Sequence, residues 1–446
     1  MVEIDINGFT GMNNLDPSFY GGKGGIVSPR LVLNADVDDS GTINKRDGFT
    51  LYLTLAGSHS LWACDVCMLC AASGKLYSIG DGAAVQVATV SGPVNEPLGY
   101  CLCEDKVYVS NSYWRGVFDA STNTVTDWGI TLPSGPMLLS SVGSLPAGMY
   151  HVCFTAVSGS ELSGNGPISS IELTTVGGIQ ILNRPAGALV WATDQHGYIF
   201  SLVGAVDNIA DIPTIEPLPS FMCGPPPNLA CPTYAFGRMW GAFEQELYYS
   251  EPYQPGWFKL TSNRFKFDSD ITIIAKVPTG LFIGMKDKTV FLSGTEPDQM
   301  QQTNAGAGSI AGSLVYCNNM PELGDILGTP EKGYVDVPVW RTTEGFVAGN
   351  ASGRLFNLTK HKIKMGTPNR AASLYRQKDG AFQFLSSSVL GSTGSGLGSV
   401  DAKLREALAS GRLTVTSASR GNAESAARCG DEATIEVRRG GVVVPA

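Results

Sequence analysis

At 446 residues the chain can bury at least one large core and has room for two or more domains. Charged residues make up only 16%, while 54 Gly and 25 Pro interrupt the chain so often that long helices are excluded and many short strands are expected. The formal net charge of −9 excludes the high-pI surface of a protein that grips nucleic-acid phosphates.

The opening residues, MVEIDINGFTG, carry neither a basic segment nor an apolar run. They do not read as a secretory signal. Nowhere does an apolar run approach the roughly 18 residues that span a bilayer. No membrane anchor is expected, and synthesis in a cytoplasm with ten reduced cysteines follows from that expectation.

Residues 1–50 divide into a Gly-rich irregular arm and the first strands. Such an arm is either disordered alone or laid over a neighbour. The stretch NADVDDSGTINKRDGF holds Asp36, Asp38, Ser40, Asn44 and Asp47 at positions 1, 3, 5, 9 and 12 of a calcium loop, with Gly41 at position 6. Hard Ca²⁺ takes many oxygen ligands, so calcium is one reading. The flanks read as strands, and position 12 is Asp in place of the longer Glu. An acidic β-turn with Gly41 at positive φ is the other reading.

Residues 51–130 read as short strands and turns. Lys75–Ile79 precedes the turn Gly80-Asp81-Gly82. Lys106–Ser110 alternates, and Val117–Asp119 leads through Ser121-Thr122-Asn123 to Val125. The recurrence at roughly 35–50 residues is the spacing of β-propeller blades. Within this stretch, Cys64, Cys67 and Cys70 form C-x-x-C-x-x-C, followed by Cys101 and Cys103. Zinc or an iron–sulfur cluster is one use of such thiols. Residues three apart on a strand face opposite ways, which favours thiols buried as small apolar groups.

Residues 131–219 predict a separate β-sandwich, with strands at Met149–Val157, Ile168–Leu173, Ala188–Thr193 and Tyr198–Leu202. A Pro-rich exit linker follows, in which Cys223 and Cys231 pair only under oxidising conditions. Over 228–385 the blade rhythm resumes, with hairpins around Lys286–Lys288, Asn350–Gly353 and Lys378–Gly380. Residues 386–398 read as a Ser/Gly linker. Ser399 to Gly411 reads as one capped helix carrying Leu404 and Leu408 on a face. Terminal strands follow within 412–446, either as a hairpin or as the closing edge of the first blade. The expected fold is mainly β: a propeller in two parts, an inserted fibronectin-type-III-like sandwich and a short C-terminal helix.

No catalytic constellation stands out. His59, His151, His196 and His361 fall in no metal-ligand spacing, and neither G-x-S-x-G nor a phosphate-binding P-loop is present. Carboxylate pairs for glycoside cleavage need not be close in sequence, but none is prominent. In Arg238-Met239-Trp240 and Tyr249-Ser250-Glu251-Pro252 through Trp257, the two Trp are expected to pack between blades and Arg238 to donate structural hydrogen bonds. An aromatic shelf for sugar is the functional rival.

Taken in order, NADVDDSGTINKRDGF, the sandwich-like insert and RMWGA…YYSEPYQPGWF resemble the tail nozzle (tail tubular) proteins of short-tailed bacteriophages over some 350 residues. The C-terminal Gly/Ser stretch and helix lie outside the resemblance. It implies a structural virion protein that is not an enzyme and needs no cofactor. It further implies a ring of commonly six copies below portal and adaptor, docking fibres or spikes and passing genomic DNA without specific binding. Assembly would occur in the host bacterial cytoplasm. The rivals are a propeller that binds or cleaves glycans, and a hub or baseplate protein of a long-tailed phage.

Overall fold

The computed structural model describes residues 50–213, 216–317, 336–359, 363, 366–378 and 381–389, together with residue 42 and five short strands near the two ends. Apart from one 3-10 turn, Pro297–Gln299, the regular elements among the described residues are strands. No helix there is long and apolar enough to cross a membrane. The expected helix from Ser399 to Gly411 lies outside the described residues.

The N-terminal hairpin pairs β1 (Ala35–Val37) with β2 (Ile43–Lys45). The first four-stranded sheet runs β3 (Ser58–Ala63), β4 (Met68–Ala72), β5 (Lys75–Gly80), β6 (Ala83–Thr89). The second runs β7 (Gly99–Cys103), β8 (Lys106–Ser110), β9 (Arg115–Asp119), β10 (Thr124–Thr126). Both are antiparallel meanders in chain order, the arrangement of a propeller blade.

The turns explain the meander. Ser73-Gly74 and Asp81-Gly82 each place two consecutive residues at positive φ, so the two-residue connections match the right-handed twist of their strands.

A two-sheet unit follows. Its strands are β11 (Leu138–Leu145), β12 (Gly148–Thr155), β13 (Val157–Ser158), β14 (Glu161–Leu162), β15 (Ser169–Leu173), β16 (Gly177–Ile181), β17 (Leu189–Thr193), β18 (Phe200–Gly204) and β19 (Asn208–Ile209). One sheet has the order β11-β16-β19 and the other β15-β12-β17-β18, with β13-β14 as a ribbon. Tyr150, Val152 and Phe154 alternate along β12 into a core shared with Ile179, Ile181 and Ile209 of the opposite sheet. Cys153 points the other way, beside Trp191, Phe200 and Leu218. Alternation on β12 thus supplies both faces of its sheet.

Three more four-stranded meanders complete the described core. They are β20 (Ala230–Ala235), β21 (Arg238–Phe243), β22 (Glu246–Tyr249), β23 (Arg264–Lys266); β24 (Ile271–Val277), β25 (Gly280–Met285), β26 (Lys288–Ser293), β27 (Gln301–Ala307); and β28 (Val315–Cys317), β29 (Val337–Thr342), β30 (Gly345–Gly349), β31 (Leu355–Asn357). The hairpin β32 (Arg370–Lys378) and β33 (Ala381–Val389) comes next. The terminal strands β34 (Thr414–Ala418), β35 (Ile435–Arg439) and β36 (Val442–Val444) pair with one another.

The expected linker at 386–398 begins later than the sequence implies. Its first four residues belong to β33, where Ser386 pairs with Ser373 and the two hydroxyls meet at 3.2 Å. Serine satisfies a sheet ladder with its backbone whatever its side chain, so a Ser-rich stretch does not by itself end a strand.

Burial follows position within each meander. The second strand is largely buried, as in β4, β21 and β25. The fourth strand is the more exposed, as in β6, β10, β23 and most of β27. Inner strands therefore pack on both faces, and the polar side chains of β10, β23 and β27 discourage pairing of those edges with other chains.

The described chain divides into two compact units. One holds 1–89, 93–97 and 269–446; the other holds 90–92 and 98–268. In the first, sheets β24–β27 and β28–β31 share a seam of Ile273, Phe282, Phe291, Trp340 and Val347. Gly349 makes room there, since a Cβ would stand 2.6 Å from the Phe282 ring. In the second, sheets β7–β10 and β20–β23 share a seam of Val117, Trp128, Met239, Tyr248 and Phe258.

Candidate functional site

The stretch from Arg238 to Trp257 carries a polar network whose geometry starts from strand alternation. On β21 and β22, Met239 and Tyr248 face the seam with β7–β10. Trp240 and Tyr249 therefore face the other way, 5.1 Å apart by ring centroids, and Phe265 of β23 stacks on Trp240 at 6.4 Å. The Trp240 indole donates to the Ala235 carbonyl at 3.0 Å. Trp240 is fully buried, and its ring partners Tyr249 and Phe265 belong to its own sheet. The ring between sheets is Trp128, which follows β10 and donates to the Pro255 carbonyl at 2.8 Å. Trp128 is not among the residues that the sequence pattern marks. Its one signal was an aromatic residue straight after a short polar edge strand.

Arg238 donates to the Ser250 carbonyl at 2.8 Å and lies over the Tyr249 ring at 5.6 Å, the structural role expected of it. Ser250 is buried. Its hydroxyl accepts from the Met239 amide and donates to the Glu251 carbonyl. The Glu251 carboxylate accepts from Asn263 at 2.7 Å and pairs with Lys259 at 3.4 Å. These contacts fold 251–257 into a tight excursion between β22 and β23, closed by the Glu251 amide on the Trp257 carbonyl.

That excursion holds the two-sheet unit. The Trp257 indole donates to the Leu162 carbonyl at 2.7 Å. Gly224 and Phe258 exchange both backbone hydrogen bonds, at 2.8 and 2.9 Å. Ser220 donates to the Ser163 carbonyl, and the Met222 amide donates to Asn165 Oδ1. Gly164 runs so close beneath the Cys223 carbonyl that no other residue fits. The Pro-rich exit segment is thus an ordered strap. Neither Cys223 nor Cys231 is in a disulfide, and burial pushes each thiol up to about 11.

The remaining sequence candidates fall elsewhere. Asp36 and Asn44 are direct register partners in the β1–β2 hairpin, so loop positions 1 and 9 lie on paired strands. Asp38, Ser40 and Asp47 lie outside the described residues. Cys64 and Cys67 sit together at the β3–β4 turn with sulfurs 3.8 Å apart, because the chain reverses between them. Cys64 and Cys67 therefore do not lie on one continuous strand and do not face opposite ways. Cys70 lies apart from it, buried, with its thiol toward the His59 carbonyl at 3.4 Å. No group of three or more His, Cys, Asp or Glu among the described residues is disposed to hold a metal ion.

His59 is buried, with Nε2 3.1 Å from the Val94 carbonyl and Nδ1 2.9 Å from Ser60 Oγ. His151 Nδ1 meets Ser170 Oγ at 2.6 Å, and His196 occupies a positive-φ turn. His361 lies outside the described residues.

No family model and no curated protein matches the sequence. Among solved structures, the chain is similar to BBS1N from its complex with ARL6DN, at 10% identity and a TM-score of 0.30, covering 78% of this chain and 97% of that one. It is similar to Sqt1 of Saccharomyces cerevisiae at 10% identity and a TM-score of 0.21, covering 64% and 79%. It is also similar to apo AztD from Citrobacter koseri at 8% identity and a TM-score of 0.24, covering 69% and 88%. Likenesses at this level specify no function, and the β architecture stands on the strand pairings above.

Proposed function

We propose that the protein is a structural component of a short-tailed phage virion, a tail nozzle subunit that assembles with copies of itself into a channel for the genome. One observation carries this reading. Of the residues that give the resemblance, Arg238, Ser250 and Glu251 use their polar groups to shape the excursion between β22 and β23, and Trp257 at its end ties that excursion to the two-sheet unit. A sugar shelf would need those rings and donors turned outward to a ligand. A strap suits a scaffold that must transmit load without deforming.

The order of elements supports the same reading: meander sheets, then an inserted two-sheet unit of fibronectin-type-III kind, then further meander sheets. We read the meanders as propeller blades, which leave few open edges. Copies would meet through heterologous faces that close into a ring, commonly of six. Adaptor and fibre proteins are the expected partners. The net charge of −9 suits a conduit to which duplex DNA does not adhere.

Light scattering and negative-stain imaging of the purified chain, alone and with adaptor, test the proposal. A closed ring is the expected result. A stable monomer that binds or cleaves cell-surface glycans would overturn it in favour of the glycan-active reading. A gene order lacking a neighbouring portal and adaptor would favour a long-tailed hub.

A further inference from the structure

The turn from β3 to β4 sets two thiols side by side. The Cys64 amide donates to the Cys67 carbonyl at 2.9 Å, which extends the ladder one step beyond the Ala63↔Met68 pair. Asp65 and Val66 form the tip. Directly opposed residues of a hairpin project from one face, and here the sulfurs stand 3.8 Å apart. Opposed residues of an antiparallel hairpin have Cα atoms about 4.5–5.5 Å apart, inside the roughly 4.4–6.8 Å range that a disulfide spans. Both residues are partly exposed, so a small reagent reaches them, whereas Cys70 is buried.

We propose that Cys64 and Cys67 form a reversible dithiol–disulfide pair, a redox-responsive clasp on the β3–β4 turn whose oxidant is a small-molecule disulfide. One cysteine, as thiolate, attacks a sulfur of the small disulfide. That S–S bond breaks, one small thiolate leaves, and a mixed disulfide remains on the protein. The second cysteine gives its proton to solvent and attacks the protein-side sulfur. The second small thiolate leaves as the Cys64–Cys67 bond forms. In total the protein pair loses two protons and two electrons, and one small disulfide becomes two small thiols.

Burial first, and then the neighbouring Cys64, hold the Cys67 thiol above its ordinary value. The step in which Cys67 attacks therefore accelerates as pH rises, since the thiolate is the reacting form.

The test uses the full chain with excess oxidised glutathione at mildly alkaline pH, followed by acid quench, alkylation and peptide fragmentation. Fragmentation is needed because Cys70 lies close in sequence to the pair. The expected product lacks two hydrogens between Cys64 and Cys67, takes up no alkylating reagent at either, and keeps Cys70 as a thiol. Dithiothreitol restores both sites. Neither Cys64→Ser nor Cys67→Ser loses the two hydrogens, and both variants fold, because a serine at either position leaves the backbone pairing intact. Alkylation of both residues in the oxidised wild type would overturn the proposal. So would a persistent glutathione adduct without ring closure, or a bond to Cys70.

Discussion

Tyr108 and Trp128 meet edge to face, with ring centroids 5.1 Å apart and planes at 65°. Phe258 meets the far side of the same indole at 6.3 Å. Trp128 is fully buried, and its one donor reaches the Pro255 carbonyl. One side chain of the seam between sheets β7–β10 and β20–β23 thus joins its ring cluster and satisfies a carbonyl of the excursion after β22.

Replacing that indole removes packing and a hydrogen bond together. Trp128→Ala should destabilise the unit by about 3–5 kcal/mol, the usual cost of deleting a buried aromatic. Trp128→Phe retains most of the ring contact and should cost less, with a share from the Pro255 carbonyl left unpaired. Urea unfolding followed by fluorescence and by circular dichroism measures both. Equal costs for the two variants would show that packing is not what the indole contributes.

Gly80 and Gly82 separate space from backbone conformation. A Cβ at either position meets nothing within 4 Å, but Gly82 has φ +74° whereas Gly80 is an ordinary strand residue. Gly82→Ala should cost about 1–2 kcal/mol, the penalty for an L-residue in the left-handed region. Gly80→Ala should be neutral or slightly stabilising, because it restricts the unfolded chain. Thermal melts of the two variants should therefore shift in different directions or by clearly different amounts.

The strap is open to local testing. Trp257→Phe keeps a ring but deletes the donor to the Leu162 carbonyl. Its cost should be about 1 kcal/mol, the net worth of a typical hydrogen bond. Its local effect should be larger than its global one, with faster proteolysis within 159–166. Unchanged cleavage there would mean that Gly224 and Phe258 hold the unit alone.

Stability at alkaline pH should respond to buried thiols. Burial pushes Cys153 and Cys317 up to about 12, from 9.0 for a free thiol. The folded chain keeps these protons where the unfolded chain releases them. Their contribution is fully present below pH 9 and is lost as pH rises toward 12, so melting temperature should fall across that window. The double variant Cys153→Ala, Cys317→Ala should be less stable at neutral pH but should lose less on going from pH 9 to pH 11. An unchanged alkaline slope would refute the linkage.

Hairpins were legible in the sequence because their signals are local. Lys106–Ser110 coincides with β8, and Asp81-Gly82 is the turn between β5 and β6 as expected. The long alternating strand expected over Met149–Val157 is β12 as far as Thr155, and Val157 opens β13. Polar, Gly-rich punctuation fixed where the chain reverses, and reversal every few residues leaves four-stranded meanders as the natural outcome.

What the sequence left open depends on distant partners. Pro255 and Phe258 lie more than 125 residues from Trp128 along the chain, and no local pattern joins them to it. Trp240 and Met239 are neighbours, and only the packing of the sheets decided which of them faces the seam. The same holds for Cys64 and Cys67, whose meeting required a reversal that spacing alone did not specify. Composition and turn chemistry determined that this chain is a succession of short antiparallel strands. Side-chain contacts across sheets determined which residues hold those strands together, because burial is a property of the partner surface as much as of the residue.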